Sequence, residues 1–142
     1  MVAWGHPVAL VIKGILTAED ASRAVEHGAA AVYVSNHGGR QLDHAQATIE
    51  ALPAAVEAVA GRAQIIVDSG FSRGTDVVKA LALGADAVAI GRLMCWALGA
   101  GGQAGLETAL RLLQEEISVT MAQLGVTRID QLNRERVITS PA

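Results

Sequence analysis

The chain has 142 residues, 51% of them hydrophobic and 18% charged, which is enough apolar material for one sizeable core and too much for a disordered segment. Aromatic residues supply only 3% and the net charge is −3, which argues against an aromatic-rich binding surface and against a nucleic-acid partner. No stretch reaches the roughly 18 uninterrupted apolar residues of a membrane span, the lone Cys95 can form no intrachain disulfide, and residues 1–6 lack a basic and then apolar leader pattern, so a cytoplasmic location is the default expectation.

In chain order, the first apolar run is Val8 to Ile12, followed by Ala30 to Val34, Gln64 to Val67 and Ala87 to Ile90. Each is rich in β-branched residues and continuous instead of alternating, the pattern of strands buried on both faces of a parallel sheet. Helical segments lie between them. Thr17 with Asp20 resembles a capping box ahead of a helix that Gly28 can stop, Pro53 suits the first turn of a helix ended by Gly61, and Thr75 to Leu83 reads as a third helix closed by Gly84. Beyond the last strand, Leu106, Leu110, Leu113, Ile117 and Leu124 mark one face of a long amphipathic helix, and a polar tail is expected from about Thr127.

The predicted fold is therefore α/β, with four βα units and a C-terminal helix. His27-Gly28-Ala29-Ala30-Ala31-Val32 echoes Leu83-Gly84-Ala85-Asp86-Ala87-Val88, two units later. Four units with such an echo suggest half of a (β/α)8 barrel, a fold that usually needs about 250 residues. A half barrel has helices on one face only. Its other face requires a cover, so a homo-oligomer or a missing N-terminal half is expected as partner.

Functional residues of a parallel barrel gather at the C-terminal ends of its strands. Lys13, Ser35, Asp68 and Gly91-Arg92 all fall there, one set per strand, and so should line one rim. The run Ser35-Asn36-His37-Gly38-Gly39-Arg40-Gln41-Leu42-Asp43 puts one titratable base and one fixed cation on a single turn. A base and a carboxylate clamp are the two groups that oxidation of a 2-hydroxy acid needs, and Arg40 can clamp a carboxylate through a bidentate pair. His6, His27 and His44 stand in no such context and read as structural or solvated. Asp68-Ser69-Gly70-Phe71-Ser72-Arg73-Gly74 leads from a strand into a helix, where backbone N–H groups and the helix dipole can receive a phosphate, with Gly91-Arg92 as the second half of the cradle. No metal is called for.

These motifs, from Lys13-Gly14 through Ser-Asn-His-Gly-Gly-Arg to Asp68-Ser69-Gly70 and Ile90-Gly91-Arg92, resemble the C-terminal half of the FMN-dependent α-hydroxy acid dehydrogenase/oxidase family, that of glycolate oxidase, lactate oxidase and mandelate dehydrogenase. The resemblance runs over about residues 8–125. It implies FMN as cofactor, a small L-2-hydroxy acid as substrate and oxidation to the 2-oxo acid. It further implies His37 as catalytic base, Arg40 as substrate-binding residue, Lys13 near N1 and the C2 carbonyl of the flavin, and Ser35 on the flavin. Asp68, Ser69, Gly70, Phe71, Ser72, Arg73, Gly91 and Arg92 become cofactor-binding residues. The family usually has an arginine on the phosphate where this chain has Ser72, with Arg73 one place later. The family's N-terminal half, with its substrate tyrosine and second substrate arginine, has no counterpart here. A different class of reading is a non-catalytic half barrel that self-associates. A flavin barrel resembling isopentenyl-diphosphate isomerase or IMP dehydrogenase is disfavoured by the His37 and Arg40 pair.

Overall fold

The computed structural model describes residues 8–138; His6 lies outside them. Four parallel strands, β1 (Val11–Ile15), β2 (Ala31–Val34), β3 (Gln64–Val67) and β4 (Ala87–Val88), pair in sequential order β1-β2-β3-β4. Helices α1 (Ala18–Glu26), α2 (Thr48–Val59) and α3 (Gly74–Ala82) connect them, and α4 (Arg92–Gln123) follows. Four βα units in sequential parallel order are the arrangement of half a (β/α)8 barrel, as the apolar runs predict.

The sheet is covered on one face. Val32, Val34, Ile65 and Val67 point toward the helices and are 0–3% exposed, packed with Ala21, Leu52, Ala55 and Val59. The intervening residues Lys13, Tyr33, Ile66 and Ala87 form one continuous row across the sheet by strand register, and each of them retains contact with solvent. That row is the wall that would face the axis of a barrel.

The echo between residues 27–32 and 83–88 has a structural cause. Both stretches carry a helix-ending motif in which two successive N–H groups reach back to the last turn. Gly28 and Ala29 donate to the Val25 and Ala24 carbonyls, and Gly84 and Ala85 to those of Leu81 and Ala80, at 2.9–3.0 Å. Gly125 and Val126 repeat the pattern after α4.

Several boundaries differ from the sequence expectation. β1 begins three residues later than the apolar run, because Val8 (72% exposed) and Leu10 (51%) lie below the paired stretch. Pro53 sits in the second turn of α2, since the helix starts at Thr48; its missing N–H costs the bond to the Ile49 carbonyl. β4 is only two residues long. An additional helix at 92–100 precedes the expected amphipathic one, the two separated within α4 by the non-helical Gly101 and Gly102. Of the expected apolar face, Leu113 is buried and Ile117 and Leu124 pack on α3, while Leu110 is 48% exposed. The stretch after Thr127 is not a free tail: Leu132 is buried and Val137 packs beside Val78 and Ala82 of α3. Among the described residues no helix is long and apolar enough to cross a membrane.

Candidate active site

At the C-terminal ends of the strands a cleft of about 450 Å3 is lined by residues from all four βα units, among them Lys13, His37, Arg40, Asp68, Gly91 and Arg92. Its floor is a network of hydrogen bonds. Lys13 Nζ donates to Ser35 Oγ at 2.5 Å and to Asp68 Oδ2 at 2.8 Å, and Ser69 Oγ donates to Asp68 Oδ1 at 2.8 Å. Thr48, fully buried, donates its hydroxyl to the carbonyls of Asp68 (2.6 Å) and Ser69 (3.1 Å) and so ties the start of α2 to the end of β3. Burial favours neutral Asp68, but hydrogen bonds from Lys13, Ser35 and Ser69, with the Lys13 charge, outweigh it and hold the carboxyl below its ordinary value of 3.8.

The sign of that shift makes a prediction. A carboxyl with a lower pKa folded than unfolded adds stability that is complete above the unfolded value and is lost as pH falls through the folded one. Asp68→Asn should therefore melt below the parent at neutral pH, and the two melting temperatures should converge as pH falls below the ordinary carboxyl value of 3.8. A gap that stays constant through the acid range would contradict the ion pair's role.

The His37 to Arg40 turn is held in an uncommon conformation. His37 has φ of +57° and Ser69 of +75°, a region that costs a non-glycine residue about 1–3 kcal/mol and persists where surroundings enforce it. They do so here. His37 N–H donates to Ser35 Oγ (3.1 Å), Gly38 N–H to Ser69 Oγ (3.0 Å), Gly39 N–H to Asn36 Oδ1 (3.1 Å) and Arg40 Nε to the His37 carbonyl (3.2 Å). The His37 ring lies against Gly14, itself at φ +100°; a Cβ there would stand 3.0 Å from His37 Cε1. Asp43 is exposed at the end of the motif, and His27 and His44 are exposed away from the cleft.

The phosphate end is organised differently from the sequence expectation. Gly70, Phe71 and Ser72 line the cleft, but Arg73 turns away and pairs with Glu116 of α4, Nη2 to Oε1 at 2.7 Å. The N–H groups at the start of α3 are also taken. Those of Ser72 and Arg73 donate to Asp76 Oδ2 and that of Gly74 to Glu116 Oε2, so two carboxylates occupy the anion-binding end of this helix. By contrast α4 begins in the cleft, at Gly91, with no side-chain cap on its first amides. Arg92, in no ion pair among the described residues, runs past Gly38, where a Cβ would stand 3.6 Å from Nη2. Uncapped amides and an unpaired guanidinium give this end of the cleft the chemistry to receive an anion.

Thr48 and Tyr33 are parts of the site that sequence reasoning missed. Strand alternation offered a signal for Tyr33, which stands between the outward Val32 and Val34 and so must face inward.

Fold and cleft together describe a segment of an α/β barrel whose rim carries a histidine, two guanidinium groups outside any ion pair among the described residues, and a partly exposed lysine–aspartate pair. The chain belongs to the FMN-dependent dehydrogenase family, whose model it matches over residues 3–139. An L-lactate oxidase from Nostoc sp. is 54% identical over 127 residues, 89% of this chain and 35% of that protein. Glycolate oxidase 2 from Oryza sativa subsp. indica is 49% identical over 130 residues, 92% of this chain and 35% of that protein. A solved structure of a mandelate oxidase variant with a monooxide FMN adduct matches at a TM-score of 0.87 and 48% identity, over 91% of this chain and 41% of that one. The chain thus spans about a third of the length of the curated relatives named here.

Proposed function

We propose that residues 1–142 are the C-terminal half of an FMN-dependent oxidoreductase domain that converts a small L-2-hydroxy acid to the 2-oxo acid. The observation that carries this reading is the convergence of His37, Arg40, Lys13 and Arg92 on one cleft. The cleft fits FMN in its chemistry: an ammonium on the floor suits the electron-rich edge of a flavin ring, and the uncapped α4 start with Arg92 suits a phosphate. Lys13, Ser35, Asp68, Ser69, Gly70, Phe71, Ser72, Gly91 and Arg92 would hold it. Arg73 reads as a brace on Glu116 and not as a phosphate ligand. Bound FMN supplies the two-electron acceptor.

The side chains do the rest. Arg40 offers a guanidinium fork to the substrate carboxylate, which fixes the α-carbon relative to His37. His37, set by the Gly14 contact and the Ser35 bond, takes the proton released from the α-carbon or from its hydroxyl. Ser35 and Asp68 fix the Lys13 ammonium at the floor. Anaerobic bleaching of the flavin in the completed barrel by lactate, glycolate or mandelate tests this. No bleaching by any 2-hydroxy acid would overturn it.

The exposed inner row favours a second statement, that this face is covered in the working protein by the preceding half barrel or by another copy. Burying about 800 Å2 of apolar surface would contribute roughly 20 kcal/mol before association costs are subtracted. Light scattering of the 142-residue chain at micromolar concentration should report a dimer or larger, and a monomer with a sharp thermal transition would contradict it.

A further inference from the structure

Tyr33 has no part in the chemistry above, yet its ring lies against Lys13, which lines the cleft. It is the register partner of Lys13 across the β1–β2 pair, and the two side chains rise on the same inward face. Lys13 Nζ lies 4.4 Å from the centre of the Tyr33 ring. The ammonium thus has three neighbours: the Ser35 hydroxyl, the Asp68 carboxylate and the face of an aromatic ring.

We infer that Tyr33 is a positioning residue for Lys13, its ring face holding the ammonium from the barrel interior so that the charge reaches the cleft at one fixed point. The inference rests on the proposed function only in giving that charge a flavin to face; the contact itself does not depend on it. Three considerations support it. A flexible four-carbon side chain with 39% of its surface exposed would otherwise sample many rotamers, and Ser35 and Asp68 both approach it from the strand ends. The electron-rich face of a phenol ring attracts a cation within about 6 Å of its centre, and the contact is stronger where water is partly excluded. Tyr33 is also close to Asp68: burial first, and then that carboxylate, pushes its phenol up to about 12. The ring therefore stays neutral across the working range of pH.

The sequence makes a direct test practical, because Lys13 and Lys79 are its only lysines and Tyr33 its only tyrosine. In the 142-residue chain, acylation by a water-soluble amine reagent can be followed at each lysine by peptide mass, with Lys79 on α3 as internal reference. Loss of the ring in Tyr33→Leu should speed acylation of Lys13 about fivefold relative to Lys79, the size of a modest cation–π contact. Tyr33→Phe keeps the ring and should stay near the parent rate. A residue that merely fills space would make leucine and phenylalanine alike. A second measurement needs no variant: the ε-methylene protons of Lys13 should resonate upfield of those of Lys79 through the ring current of Tyr33. Equal rates in the parent, Tyr33→Leu and Tyr33→Phe, equal acceleration in both variants, or coincident methylene shifts would overturn the inference. Failure of the chain to bind FMN would instead count against the proposed function and would leave these readouts in place.

Discussion

Replacing His37 with Gln in the completed barrel is expected to lower kcat by about 10²- to 10⁴-fold with little change in KM, the signature of a lost proton acceptor. Glutamine has similar bulk and can keep a polar contact, but it cannot take a proton. Gly14 limits the space for the ring, and the backbone bond to Ser35 does not involve the side chain, so the turn should survive. Arg40→Lys should behave oppositely. Its guanidinium binds the carboxylate before and during the reaction, so KM should rise most, because an ammonium cannot match the bidentate fork. Stopped-flow reduction of the flavin measures both. Near-parental reduction in His37→Gln would remove His37 from the proton transfer.

Gly74→Ala should destabilise the fold by about 1–3 kcal/mol or more and lower the melting temperature by several degrees. A Cβ on Gly74 would stand 2.4 Å from Glu116 Cβ and 2.5 Å from the Ile117 nitrogen. The second is backbone within a helix and cannot swing aside. The same change would push Glu116 away from Gly74 N–H, which it accepts at 2.6 Å, and from Arg73. Arg73 and Glu116 hold the start of α3 to α4, so loosening them should also free the loop that carries Ser69 to Ser72. Calorimetry of the parent and the variant decides it, and an unchanged melting temperature would show that α4 yields without cost.

How much of this could be read in the chain follows from the range of each interaction. β2 and β3 coincide with their apolar runs to within a residue, because alternate side chains pack on the helices and those between them, Tyr33 and Ile66, form the inward row. β1 did not, since Val8 and Leu10 are apolar yet exposed ahead of the strand, and composition does not distinguish a covered strand from an uncovered one. The helix at 92–100 was missed because Met94, Trp96 and Leu98 show no single apolar face and remain largely exposed. The base and the clamp were legible because His37 and Arg40 share one turn. Arg73 was read toward the phosphate because its partner Glu116 lies 43 positions away, and such a pairing exists only once α3 and α4 are packed. Ser35 and Asp68 were legible as rim residues by their places just past strand ends, whereas Lys13, expected there too, lies inside β1, which runs on to Ile15; the mutual bonds of the three, and the Tyr33 ring beside them, depend on register across the sheet.

On this reading the cleft holds FMN with its phosphate at the start of α4. A titration followed by flavin absorbance and fluorescence, on the chain alone and with a preceding half barrel from a relative, tests it most directly. Weak retention is expected for the chain alone, with tighter binding once the barrel is complete, a loss of about tenfold or more in Arg92→Ala, and little change in Arg73→Ala. Flavin that is not retained by either form, or affinity that falls in Arg73→Ala and not in Arg92→Ala, would contradict it.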